Sequence, residues 1–180
     1  MRALHLRWIL PLAAIAIVAG ASVASGAFRD NFTKPVPPLP GHGAVAHLTL
    51  TGRHQGQIRG GGANGAINVV GLDFLVKRGF DAGTQLPIGK ALCRGVSFRK
   101  TTDSSTPALF EAFSRNEVIT QAVFRENGLT ITLTSAAVGS VHHLAAAQSG
   151  HFEDVVLAPS RIEFAWDATG ETTVHECSGD

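Results

Sequence analysis

Thr101-Thr102-Asp103-Ser104-Ser105-Thr106-Pro107-Ala108-Leu109-Phe110-Glu111-Ala112-Phe113 follows directly on a β-like run, Val96-Ser97-Phe98-Arg99-Lys100. The order of residue types marks a strand that stops and a short helix that starts. Asp103 or a neighbouring Ser or Thr is suited to cap that helix, because a short side-chain oxygen accepts a hydrogen bond from an unpaired first-turn N–H. Pro107 suits the first turn, where its missing N–H costs nothing. Leu109 and Phe113, four residues apart, then fall on one helical face. The predicted helix runs over about 106–114.

Outward from this stretch the dominant period is two. Val118, Thr120, Ala122 and Phe124 alternate with Ile119, Gln121, Val123 and Arg125, and Leu129, Ile131 and Leu133 alternate with three threonines. Ile162, Phe164 and Trp166 alternate with Arg161, Glu163 and Ala165. Such alternation gives antiparallel strands with one face toward a core. Asn127-Gly128 between two of these runs is a hairpin turn, since both positions tolerate positive φ. The sum is an all-β domain of six to eight strands with one short helix, for which a closed or nearly closed barrel is the natural solution, because closure removes unpaired edges. The stretch from Gly71 to Lys90 lacks periodicity beyond its first residues and reads as a long loop of functional length.

Several pieces in a fixed order resemble the Hcp family, the tube-forming subunits of bacterial type VI secretion systems. Gly65-Ala66-Ile67-Asn68-Val69-Val70 is similar to the family's G-x-I-x-V-V strand, and the loop after it holds Asp81, Gly83, Gly89 and Lys90 in the family's D…G…G-K order. Lys100, Asp103, Ser104, Ser105 and Pro107 match its T-K-x-x-D-x-S-S-P pattern ahead of the helix. Leu129 to Val138 is similar to an I-x-L-x-N-A-x-V strand, and Phe152 to Leu157 with Ile162 to Trp166 and Gly170 to the closing pair. Cys93 and Gly95 stand where the family often has a histidine and a proline. The resemblance spans about Ala44 to Gly170, one domain in size. It implies a small β-barrel with a flanking helix and one long loop reaching a neighbouring subunit through Asp81, Gly83, Gly89 and Lys90. It also implies a homo-oligomer, a hexameric ring that stacks into a tube and carries effector proteins, with no enzymatic activity and no cofactor.

The first 27 residues read as a signal peptide. Arg2 and Arg7 form a positive n-region, and Trp8 to Ala19 is an apolar run shorter than the roughly 20 residues a spanning helix needs. Ser22-Val23-Ala24 and Ser25-Gly26-Ala27 each fit a small-x-small cleavage site; extended to Ala24 the run nears spanning length, so a retained anchor is the alternative. Residues 28–43 form a Pro-rich linker in which Pro35, Pro37, Pro38 and Pro40 favour an extended polyproline II segment. Residues 44–170 are the barrel domain and 171–180 a C-terminal tail. An exported chain, periplasmic or secreted, follows from the leader. Its two cysteines, Cys93 and Cys177, then favour a disulfide, with two independent thiols as the alternative; by chain entropy so long a loop is worth on the order of 4–5 kcal/mol.

Composition narrows the function further. The formal net charge is +1 and falls to −1 once Arg2 and Arg7 leave with the leader, with no basic stripe, so neither nucleic acid nor an anionic membrane surface is indicated after cleavage. Gly60-Gly61-Gly62-Ala63-Asn64-Gly65 matches G-x-G-x-x-G formally, but a strand-like segment follows where a dinucleotide site needs a helix. It reads as a turn. His142, His143, His151 and Glu153 fall short of a metal site, because adjacent strand residues face opposite ways and no tight Cys/His spacing supports zinc. No nucleophile elbow and no carboxylate pair is evident.

Overall fold

The computed structural model describes residues 43–146 and 150–177; the leader, nearly all of the linker and the last three residues lie outside it. Eight strands and one α-helix follow in the order β1 (Ala46–Gly52), β2 (Gly56–Ile58), β3 (Ile67–Phe80), β4 (Pro87–Thr101), α1 (Thr106–Ser114), β5 (Val118–Arg125), β6 (Leu129–Ala146), β7 (Gly150–Trp166) and β8 (Glu171–Glu176). All pairings are antiparallel. The path β1-β3-β4-β7-β6-β5 returns to β1 through a β1–β5 ladder, so the sheet closes on itself. Closure suits the period-two strands: each has one apolar face, and a ring lets every such face share one interior while leaving no open edge along its path. Leu48, Leu50, Phe98, Phe124, Ile131 and Leu133 fill that interior, with Phe98 and Phe124 edge-to-face at 5.5 Å.

Helix α1 occupies the expected residues and lays Leu109 and Ala112 into the core. Phe113, predicted to share an inward face with Leu109, is exposed instead, because α1 turns its Leu109–Ala112 side to the core. The turn at Asn127-Gly128 forms, with Gly128 at φ +80° and Glu126 N–H donating to the Leu129 carbonyl at 2.9 Å.

Two sequence expectations change. The stretch 71–90 is a β-hairpin arm: β3 and β4 stay paired from Val69↔Lys100 out to Phe80↔Pro87. Its pattern is not periodic because the ladder shifts register at three places, including Phe74/Val76 and Lys77/Gly79, and because its outer part is exposed on both faces. Nor does pairing end at Gly170. Residues 171–176 form β8 against β7, from Trp166↔Glu171 to Arg161↔Glu176.

Candidate functional site: the arm, its root and the buried ion network

Strand β4 carries two distinct clusters. Near its end, Lys100 pairs in register with Glu153 of β7, and both point inward. Lys100 Nζ lies 2.7 Å from Glu153 Oε2 and 3.0 Å from Asp103 Oδ1, and the Lys100 and Glu153 side chains are both 0% exposed. Nζ also donates to Thr106 Oγ1 at 3.3 Å, and Glu153 Oε1 meets His143 Nδ1 at 3.3 Å. A buried ammonium is tolerable only with this kind of complete pairing. On the outer face of the same strands, Arg99 grips Asp154 bidentately at 2.6 and 2.7 Å.

Asp103 organises the turn before α1. Its Oδ1 accepts the backbone N–H and the hydroxyl of Ser105 at 2.9 and 2.6 Å, while Oδ2 accepts Gly61 N–H at 2.9 Å. Burial pushes this carboxyl up, but the bonds from Ser105, Gly61 and Lys100 outweigh it and hold Asp103 below the ordinary carboxylate range. The capping expectation is therefore corrected. Ser105 occupies the cap position yet makes no capping bond with its side chain, because its hydroxyl is already given to Asp103. Ser104 donates instead to the Arg59 carbonyl at 3.0 Å, and Pro107 sits in the first turn as read. The glycine run acquires a structural reason: a Cβ on Gly60 would lie 2.7 Å from Asp103 Oδ2 and 2.8 Å from the Ala66 carbonyl, so only glycine lets this turn approach the motif.

Between the β1–β2 turn and the C-terminal end of α1 lies a cavity of about 560 Å³ lined by Arg53, His54, Gln55, Glu111, Arg115 and Glu117, among others. Four of its side chains, Gln55, Glu111, Arg115 and Glu117, are already engaged. Burial pushes Glu117 up, but His54 N–H, Gln55 N–H and Gln55 Nε2–H, at 2.8 to 2.9 Å, hold it below its usual range. Arg115 pairs with Glu111 at 2.9 Å. A carboxylate locked in its ionised form by three donors is a structural anchor and a poor proton shuttle at neutral pH. Among the described residues no group of three His, Cys, Asp or Glu side chains is placed to hold a metal ion. His143 and His151 do share one face, stacked with ring centres 6.1 Å apart.

The second cluster lies where β4 leaves the barrel. Cys93 and Cys177 form a disulfide with Cα atoms 5.2 Å apart. Phe74 of β3 packs on Phe164 of β7 at 5.1 Å, and Phe164 meets the His175 ring of β8 edge-on at 6.1 Å. Beyond this root the arm is bare. Phe80, Leu86 and Ile88 are 63%, 63% and 52% exposed, an unusual set for one hairpin tip. Asp81 shapes that tip: its Oδ1 accepts Gly83 N–H, Thr84 N–H and the Thr84 hydroxyl at 2.7 to 3.0 Å, which hold its carboxyl low. Asp81 and Gly83 thus lie in the tip turn, and Gly89 (φ +70°) and Lys90 in the returning strand. Four of the residues expected to meet a neighbour share one projection. Of its root residues, Phe164 reads in the sequence only as part of an alternating strand, and Phe74 and His175 carry no local signal.

A family model described as "Type VI secretion system effector, Hcp" matches residues 47–166. The chain belongs to the Hcp family. Solved Hcp structures share its fold. Hcp1 of the E. coli EAEC 042 pathovar has 20% identity and a TM-score of 0.67, covering 74% of this chain and 98% of that one. The secreted protein Hcp3 from Pseudomonas aeruginosa has 20% identity and a TM-score of 0.62, covering 73% and 98%. Hcp1 from Salmonella typhimurium has 21% identity and a TM-score of 0.56, covering 72% and 92%. At such identities the likeness is one of fold. No functionally curated protein matches the chain. Among the described residues, no helix is long and apolar enough to cross a membrane.

Proposed function

We propose that this Hcp-family chain is an exported, non-enzymatic structural subunit that assembles into rings, by family resemblance hexameric, and binds or carries effector proteins in the ring's lumen. The observation that carries this reading is the arm. The barrel pairs its own strands all the way round, whereas Phe80, Leu86 and Ile88 stand in solvent at the end of a paired hairpin. A hairpin of one copy against a different surface of the next is a heterologous contact, and such contacts close into rings when the rotation permits. Asp81, Gly83, Gly89 and Lys90 then contribute to subunit contact through the shape of the arm. The test is light scattering and negative-stain microscopy of the chain from Phe28 onward under oxidising conditions. Uniform rings with open centres are expected; a strict monomer at high concentration overturns the assembly.

The disulfide favours a second reading, an exported Hcp-like binding module of the periplasm or cell surface that serves no secretion tube. A structural bridge belongs to an oxidising compartment, as does the signal peptide read at residues 1–27. Release that depends on a contractile secretion apparatus supports the tube subunit, and recovery from the periplasm through the general export route supports the module.

A further inference from the structure

Strand β7 has one edge fully paired with β6, from Gly150 to Trp166. Its other edge is shared end to end by two strands: β4 takes residues 152–157 and β8 takes 161–166. Both run antiparallel to β7, so β8 points at β4 and stops against it. Cys177 N–H donates to the Ser160 carbonyl at 2.8 Å, which carries β8's hold on the edge to within three residues of Leu157, where β4 begins. The first half of β4 is therefore kept off β7 by β8 and pairs only with β3, as the arm. The departure point carries a hinge and a bolt: Gly95 at φ +89°, a backbone state open to glycine, and the Cys93–Cys177 bridge.

Extended past Gly95 along the same edge, the first half of β4 would lie against β7 residues 161–166, the stretch that β8 now covers. Two segments of one chain thus compete for one strand edge. β8 holds it with six residues, most of whose side chains are exposed. We propose that the Cys93–Cys177 bridge is a redox latch on this competition. Oxidised, it keeps β8 seated and the arm projecting. Reduced, it lets β8 leave, and the arm half of β4 folds down onto the bared edge, withdrawing Phe80, Leu86 and Ile88 from the position in which they meet a neighbouring copy. Reduction by a dithiol breaks the Sγ–Sγ bond; two electrons and two protons pass to the two cysteine thiols, and the reductant's own sulfurs join as a disulfide. The consequence for assembly rests on the ring reading above, whereas the strand exchange itself does not.

Amide-resolved hydrogen exchange on the full chain, oxidised and then reduced with dithiothreitol and alkylated, tests the latch. The Ser160 bond and the alternation of an antiparallel ladder aim the Ile162, Phe164 and Trp166 amides at β8. On reduction, β8 amides should exchange about ten-fold faster or more, while those three β7 amides remain protected because the arm replaces β8. A Cys93→Ser/Cys177→Ser variant should match the reduced protein without any alkylation. Unchanged β8 protection overturns the latch, and loss of protection in β8 and the β7 edge together overturns the exchange. Light scattering of both forms separates the two readings. Rings that dissociate on reduction support gated assembly, rings that persist overturn the gate while leaving the ring, and their absence from both forms overturns the ring and leaves the exchange result to decide the latch.

Discussion

The two ends of strand β4 are secured by different physics. Near its C-terminal end, Lys100 is fixed by noncovalent partners alone, Glu153, Asp103 and Thr106, with the Lys100–Glu153 pair cut off from water. At the fork, Cys93 is fixed by a covalent bond to Cys177, beside a small aromatic cluster open to solvent on one side. Removing part of the first leaves a buried charge with nowhere to go, so failure there reaches the whole barrel. Removing the second frees a terminal strand and an arm, so failure there stays local. The Lys100 end of β4 is built to be constant, and the arm end is conditional on its chemical surroundings.

The largest effect should come from splitting the ion pair. Lys100→Met leaves Glu153 buried with His143 as its one remaining side-chain partner among the described residues, and should cost about 3–5 kcal/mol in chemical denaturation. The Lys100→Met/Glu153→Leu double variant, which removes both charges, should recover most of that loss; if the double variant is as unstable as the single, the cost lies in packing and the comparison fails. Opening the disulfide should cost less, about 2–4 kcal/mol. The loop it closes is long, with the two cysteines 84 residues apart, but β8 can detach while the closed path of strands survives, so the native state without the bridge keeps part of the lost freedom. A denaturation midpoint that falls as far for reduced protein as for Lys100→Met would make the fork as integral to the barrel as the ion pair.

The sequence was legible where one face of a strand is wet and the other dry. β5, the start of β6 and the end of β7 alternate visibly, and α1 was bracketed by Thr106 and Ser114 because its start chemistry, Asp-Ser-Ser-Thr-Pro, is local. Lys100 could be matched to a motif, but its partner Glu153 lies 53 residues away, and only the strand register brings the two together. The same holds for the glycine turn, whose contact with Asp103 spans 42 residues. The arm reads as a loop in the sequence because a hairpin with two exposed faces and repeated register shifts has no reason to alternate. Residues 171–176 read as a tail because Glu171-Thr172-Thr173-Val174-His175-Glu176 offers the core little; they form a strand because β7 has an edge to fill.

A smaller effect should separate Asp103 from Lys100. Asp103→Asn keeps an acceptor for Ser105 but loses the one for Gly61 N–H and the charge facing Lys100, and should cost about 1–2 kcal/mol at neutral pH, the lower figure if water screens the partly exposed carboxylate. The folded protein holds this carboxyl below its ordinary value near 3.8. Its contribution is therefore present above that value and is lost as pH falls through the lower, folded one. Stability of the parent should decline below about pH 4, and Asp103→Asn should flatten part of that slope. An identical acid profile in the two proteins would mean that Asp103 contributes through geometry alone.

The smallest effect on stability should accompany the arm tip. Phe80→Ser with Leu86→Ser removes two large apolar groups from the molecule, yet both stand in solvent and neither belongs to the core cluster. Burial sets the worth of an apolar side chain, so denaturation should shift by no more than about 0.5 kcal/mol. Lys100→Met and this double variant then bracket the comparison. The first should damage the fold before assembly can be asked about, and the second should leave the fold untouched while abolishing rings in light scattering. A tip variant that unfolds early would show the arm packed back on its own barrel, and one that still forms rings would place the subunit contact elsewhere on the surface. Either result shifts the conditional part of the molecule from the arm's tip toward its root, where Phe74 packs on Phe164 and the disulfide ties β4 to the chain just after β8.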